Sequence, residues 1–245
     1  MQNKVVGFVT VRTSSKRLPN KCLLRFGECT VIEHIIRRAL KYNISPIICT
    51  STDKSDDIFE KIALNEGVRI FRGSLVNKLK RWDNCADHFN IKSFHTIDAD
   101  DPFFDGDEMI SSMKILVESD LDLVYPSKIS SDGGGSVGYS IKSELIKKAM
   151  VNISDDTDTE MMWFFLEKLQ NIKAIQMASN PFTPEKIRLT LDYEEDYWLL
   201  ESVCRMLGNY APRRKIDELF KTNPDLYKIN WFRNSEWKAA QIIKS

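Results

Sequence analysis

The sequence predicts an α/β fold, a mostly parallel sheet flanked by helices. Short β-rich runs alternate with segments of helical period, the first run is a strand-length apolar stretch, and 245 residues suffice for one such domain with a large core. The predicted strands are Val5–Val11, Pro46–Thr50, Val68–Phe71, Ser93–Ile97 and Leu121–Tyr125. Between the first two, Thr30–Lys41 places Val31, Ile32, Ile35, Ile36, Ala39 and Leu40 on one helical face, with Thr30 as N-cap. Asp56–Glu66 repeats the pattern with Ile58, Phe59, Ile62 and Ala63, and Leu75–Phe89 and Asp107–Glu118 complete the alternation.

After residue 126 the rhythm changes. Ser130-Ser131-Asp132-Gly133-Gly134-Gly135-Ser136 predicts a flexible loop, since consecutive glycines make ordering costly; it reads either as a lid or as a solvent loop. Helices are expected near Lys142–Met150 and Thr159–Leu169. A short strand at Ile187–Leu191 leads to a helix from Glu194 to Leu207, then to Lys215–Lys221 and a Trp-rich polar tail. Met161–Phe165 reads as core or dimer contact. The chain is expected to form one domain over 1–245, with no internal repeat.

Charge excludes some functions. With 35 basic and 35 acidic residues the net charge is zero, so nucleic-acid binding has no global electrostatic support. No stretch approaches the roughly 18 apolar residues of a membrane span. The N-terminal run from Met1 is too short for a signal peptide. Cys22, Cys29, Cys49, Cys85 and Cys204 are scattered without metal-ligand spacing and read as reduced thiols, so a cytoplasmic location is expected. His34, His88 and His95 lack a nucleophile or metal partner in sequence and read as structural.

Three constellations carry chemistry. Arg12-Thr13-Ser14-Ser15-Lys16-Arg17-Leu18-Pro19-Asn20-Lys21 gathers four cations after the first strand, where open α/β sheets bind ligands. A triphosphate suits it, as guanidinium forks and backbone N–H groups grip several oxygens together; the alternative is a solvated basic loop. It is not a Walker A loop. Asp98, Asp100 and Asp101 crowd past strand Ser93–Ile97, where they would repel unless a hard cation such as Mg²⁺ bound them; the alternative is a helix-capping turn. Arg188-Leu189-Thr190-Leu191-Asp192 ends a strand in a carboxylate, common in isolation, with Glu195 and Asp196 following as helix N-terminal charge.

Taken in order, these residues resemble the CMP-sugar-acid synthetases (CMP-Kdo and CMP-sialate synthetases), and still more their spore-coat-polysaccharide, SpsF-like branch. Val11 to Lys21 resembles A-R-x-x-S-x-R-L-P-x-K, Ala99 to Asp105 resembles G-D-x-P-x-[IL]-D, and Arg188 to Asp196 resembles R-L-T-[VL]-D-T-P-E-D. Thr50 to Asp57 and Phe71-Arg72-Gly73-Ser74 extend the likeness, as does Ile216–Asn230. Ser14 and Asn20 stand where the spore-coat branch has glycine, and both tolerate a turn.

The resemblance implies a Rossmann-like nucleotide-diphospho-sugar transferase fold of the GT-A type and an Mg²⁺-dependent cytidylyltransferase. It implies CTP bound by Val11, Arg12, Ser14, Ser15, Arg17, Lys21, Thr52, Arg72, Ser74 and Asp98. Arg12, Arg17, Lys21 and Asp100 would act in catalysis, and Asp100 and Asp192 would hold the metal. The other partners implied are a small-molecule acceptor, bound by a lobe near 128–184, and a second copy in a homodimer. Two other readings stay open: a nucleotidyltransferase with another nucleotide or a phosphorylated acceptor, and a catalytically silent nucleotide-binding scaffold.

Overall fold

A computed structural model describes residues 4–135, 137–151 and 153–242. Met1, at the start of the N-terminal run, and Ser136, the end of the predicted flexible loop, lie outside these residues. The strands are β1 (Val6–Thr10), β2 (Arg25–Phe26), β3 (Cys29–Thr30), β4 (Ser45–Ser51), β5 (Arg69–Gly73), β6 (Ser93–Asp98), β7 (Leu123–Tyr125), β8 (Ser140–Lys142) and β9 (Ala174–Gln176). The helices are α1 (Val31–Lys41), α2 (Ile58–Glu66), α3 (Lys78–His88), α4 (Gly106–Glu118), α5 (Lys128–Ser131), α6 (Ser143–Met150), α7 (Trp163–Leu166), α8 (Glu194–Leu207), α9 (Arg213–Thr222) and α10 (Arg233–Ile242).

Seven strands form one sheet in the order β5-β4-β1-β6-β8-β7-β9, and β2 and β3 form a small hairpin. All neighbours are parallel except β8, which runs antiparallel to both β6 and β7. The two-residue period of the strands divides the core between the faces. Val9, Ile48 and Ile97 join α1 and α2 in one cluster, which also takes Leu199 and Leu200 of α8. Phe8, Ile47 and Phe94 join Trp82 of α3 and Leu145 and Ile146 of α6 in the other. Thr30 caps α1 in a capping box: its hydroxyl accepts from Glu33 N, and Glu33 accepts from Thr30 N.

Two expectations change. Ile187–Leu191 is extended and mostly buried but joins no strand ladder. Its backbone pairs instead with loops, Leu189 N donating to Gly133 O (2.8 Å) and Leu191 N to Asp100 O (2.7 Å). For the same reason Gly133, Gly134 and Gly135 are neither lid nor solvent loop. They are buried beneath that segment, with φ of +95° at Gly133 and +80° at Gly135, and a Cβ on Gly134 would stand 2.6 Å from Ile129 O. The glycines serve close packing in left-handed backbone rather than mobility. The predicted Thr159–Leu169 helix contracts to α7, whose Leu166 is a core residue along with Met162, and the polar tail folds as α10.

The histidines are structural. His34 Nε2 bonds Pro102 O at 2.9 Å, and His95 pairs with Ser140 Oγ and Val137 O. Burial lowers both imidazoles to about 4. All five cysteines are buried free thiols. Among the described residues no helix is long and apolar enough to cross a membrane.

Glu108 on α4 has the opposite problem. Burial, reinforced by the Asp105 charge, pushes its carboxyl up to about 7, and among the described residues its Oε1 finds no hydrogen-bond partner. Folding therefore takes up a proton between the ordinary glutamate value and about 7, and stability falls as pH rises through that window. Glu108→Gln is expected to flatten this slope, raising Tm at pH 8 more than at pH 5; equal shifts at both pH values would refute the assignment.

Candidate active site

Three chain segments meet at the carboxyl edge of β1 and β6. The first is the basic turn after β1. Val11 is buried and continues the strand, Val11 N donating to Cys49 O. Thr13 N and Oγ1 both donate to Asp56 Oδ1, at 2.8 and 2.9 Å, while Ser51 Oγ donates to Asp56 Oδ2. Asp56, buried, thus ties the turn to the end of β4. Asn20 takes the left-handed conformation at φ 53° and starts the short 3₁₀ turn that aims Lys21 inward. Ser14 stays exposed and Ser15 half-buried.

The second segment is Asp98–Asp101, and the third is Arg188–Asp192. Leu191 N to Asp100 O joins them, which sets Asp192 beside Asp100. Lys21 Nζ lies between the two carboxylates, 2.6 Å from Asp100 Oδ2 and 2.8 Å from Asp192 Oδ1. Arg17 Nη2 reaches the same Asp192 oxygen at 2.7 Å, its guanidinium over the Tyr193 ring. Asp101 turns away from this group, accepting from Thr190 Oγ1 at 2.7 Å, and so serves to hold the two segments together.

Burial dominates the titration of these groups. It works against the Asp192 charge, yet Lys21 and Arg17 prevail and hold that carboxyl below the ordinary range. At Asp100 burial wins, with help from Asp192 and Asp98, and its carboxyl lies above the ordinary value despite Lys21. Asp101 is pushed well up by burial and by both neighbouring carboxylates. Burial also penalises the Lys21 ammonium, but Asp100 and Asp192 overcome it and hold the amine above an ordinary lysine.

Behind Asp192 stands a fully buried support. Arg188 Nε and Nη2 form a two-pronged pair with Asp196, at 2.8 and 3.0 Å, and both side chains are 0% exposed. Asp196 Oδ2 accepts from the backbone N–H groups of Asp192 and Tyr193. Asn230 Nδ2 donates to Asp196 Oδ1 and to Arg188 O, while Arg188 Nη1 donates to Asn234 Oδ1. Asp196 does lie in the first turn of α8 and accepts from its N-cap backbone, as helix-end charge predicts, but its partner Asn230 lies 34 residues away, so local pattern carries no sign of the wider network.

The remaining expected nucleotide contacts divide. Arg12 pairs with Glu160 Oε2 at 2.6 Å and Leu75 O at 2.7 Å rather than with Asp100 or Asp192. Asp98 meets Lys78 Nζ at 3.3 Å. Arg72 is not brought to the site: it binds Asp57, Glu60 and the carbonyls of Ser51 and Asp53, bracing the turn before α2. Ser74 Oγ accepts from Asn77 N at the start of α3, and Thr52 N donates to Gly73 O. Lys78 and Glu160, which were not among the expected site residues, are thus nearer the site than Arg72.

The residues fit a hard cation in one respect visible here. Asp192 Oδ2 is buried and makes no hydrogen bond among the described residues, with Arg188 Nη2 at 3.8 Å. Among the described residues no group of three His, Cys, Asp or Glu side chains is set to hold a metal. Protein would supply two carboxylates, Asp100 and Asp192, and substrate oxygens or water the rest, as suits Mg²⁺.

A family model described as Cytidylyltransferase matches residues 6–120, which contain the basic turn and the Asp98–Asp101 turn. Over that stretch, just under half of its length, the chain is similar to the cytidylyltransferases. Two relatives are similar along nearly the whole chain. An uncharacterized Methanocaldococcus jannaschii protein is 27% identical over 233 residues, covering 93% of this chain and 94% of its own. The spore coat polysaccharide biosynthesis protein SpsF of Bacillus subtilis is 24% identical over 234 residues, covering 91% and 96%. A cytidylyltransferase structure from Leptospira borgpetersenii shares the fold at TM-score 0.78 and 22% identity, covering 91% of this chain and 96% of that one.

Breaking the support should be costly. Asp196→Ala leaves a buried guanidinium unpaired and is expected to cost about 3–5 kcal/mol of stability, read by chemical denaturation. A loss below about 1 kcal/mol, the range of a surface ion pair, would remove the network from this role.

Proposed function

We propose that the protein transfers CMP from CTP to a sugar acid or related small-molecule acceptor, releasing pyrophosphate, in the synthesis of a surface polysaccharide or glycoconjugate. The observation that carries this reading is the meeting of Arg17 and Lys21 with Asp100 and Asp192 at the sheet's carboxyl edge. The resemblance to CMP-sugar-acid synthetases supports CTP as donor and an acid as acceptor. The named role of SpsF in spore coat polysaccharide biosynthesis supports the pathway class.

In this reading the acceptor oxygen attacks the α-phosphorus in line as the pyrophosphate bond breaks. Such transfer rests on positioning and charge stabilisation rather than on a covalent nucleophile. Lys21 and Arg17, resting on carboxylates before substrate binds, turn to the triphosphate and neutralise charge on the leaving pyrophosphate. Asp100 and Asp192 would hold Mg²⁺, which supplies charge neutralisation of phosphate oxygens when bound. The 128–184 region, which delivers Glu160 to the site, is assigned to the acceptor lobe, and a cytoplasmic homodimer is the expected form.

The test is pyrophosphate release with each of four nucleoside triphosphates against a panel of sugar acids, amino sugars and phosphomonoesters. CTP with an acid and Mg²⁺ should be active, and chelation should abolish turnover. Arg17→Ala and Lys21→Ala should each lower turnover on the order of 10²–10³-fold, by analogy with a lost oxyanion donor. Asp100→Ala and Asp192→Ala should fall further. Near-normal release by both aspartate variants would sink the two-carboxylate site.

A further inference from the structure

Beside the phosphate-facing group lies a second polar array, built by tertiary contacts alone. Residues 154–160 are fastened to the amino end of α3: Asn77 Nδ2 donates to Ser154 O, Leu79 N donates to Thr159 Oγ1, and Thr159 Oγ1 donates to Asn77 Oδ1. This docking sets Glu160 Oε1 3.7 Å from Lys78 Nζ, while Arg12 grips Glu160 Oε2 at 2.6 Å. Lys78 is 6% exposed, lies over the Trp82 ring, and among the described residues makes a single hydrogen bond, to Asp98, at a long 3.3 Å. Its ammonium carries three donors, so most of its hydrogen-bonding capacity is unspent in a buried position. Glu160 and Asp98 remain about one-third exposed, so a ligand can reach the array. Leu75 and Val76 stand exposed at the same turn, an apolar surface of the kind a planar ring lies against.

Arg12 and Lys78 stand against Glu160 and Asp98 in the array, with the buried Arg81 guanidinium close to Arg12, Lys78 and Glu160. What the array offers is an acceptor, Glu160, beside a donor, Lys78, with the acceptor's orientation fixed by Arg12. That order is complementary to a neutral edge that presents N–H next to a ring nitrogen, as the aminopyrimidine edge of cytosine does. Uracil reverses the order, setting its O4 against the Glu160 carboxylate and its N3–H against the ammonium.

We infer that Lys78 and Glu160 form a base-selecting site that distinguishes cytosine from uracil, with Asp98 placed to accept from the ribose. The inference rests on the nucleotidyl-transfer reading, since Asp98 and Asp100 set this array beside the proposed phosphate site. Arg12 then serves chiefly to orient Glu160, and its variant is a positioning change.

Titration calorimetry with CTP and UTP tests this, because phosphate contacts are common to both and cancel in the ratio. The full chain should favour CTP on the order of 10- to 100-fold, the discrimination of a good two-point base contact. Glu160→Gln supplies an amide N–H to uracil O4 and should cut the ratio about tenfold, largely through tighter UTP binding. Lys78→Met, which fits beside Trp82, should also lower the ratio, chiefly by weakening CTP. Unchanged Tm values confirm that both variants fold. If the wild type binds both nucleotides alike, or if both folded variants keep the wild-type ratio, the inference is overturned while nucleotidyl transfer stands. A wild type that binds no nucleotide would overturn both.

Discussion

Two carboxylates, Asp100 and Asp192, are held side by side at the edge of this sheet, and the surrounding structure is organised around keeping them there. The Leu191 N–H to Asp100 O bond brings together backbone segments about ninety positions apart. Like charges at that separation repel strongly in a buried setting, where water screens little. Lys21 offsets the repulsion by sitting between them, and Arg17 adds a second cation on the Asp192 side. The cluster is thus a charged arrangement in which the resting cations are those a triphosphate would recruit.

Holding Asp192 rigid requires more than its immediate partners. The extended segment that carries it lies outside the sheet, so no strand ladder fixes its position. A buried Arg188–Asp196 pair takes that part, with Asn230 and Asn234 satisfying the remaining polar atoms. Gly133 to Gly135 let the same segment pass close, because side chains there would meet backbone or neighbouring side chains. The C-terminal residues, whose composition suggests only a polar tail, therefore help to hold a site near the first strand.

The antiparallel β8 separates two regions of different character. On one side β5, β4, β1 and β6 make a parallel array whose carboxyl ends carry the basic turn and the acidic turn. On the other, β7 and β9 lie beyond residues 6–120, the stretch that the family model matches. Residues 154–160 cross back from that second part and lock onto α3, which gives the parallel half its Glu160. The groups proposed to read the base and to hold the phosphates thus come from separate docking events rather than from one continuous motif.

Much of this was legible along the chain. Hydrophobic period located β1, β4, β5, β6 and α1 through α4, because burial on a helix or strand face leaves a local repeat. Charge density located the basic turn and the aspartate turn, since such clusters have few structural uses. What sequence could not decide was how the charged side chains pair. Arg72 matches a motif yet is spent on Asp57 and Glu60, whereas Lys78 and Glu160 match none and face each other across 82 positions. The glycine run signalled flexibility locally and is packed solid globally. By itself the sequence determined the fold class and the inventory of charges, which are properties of neighbours in the chain. The pairing of those charges was decided by tertiary structure alone, since Coulomb and hydrogen-bond partners are chosen by distance in space.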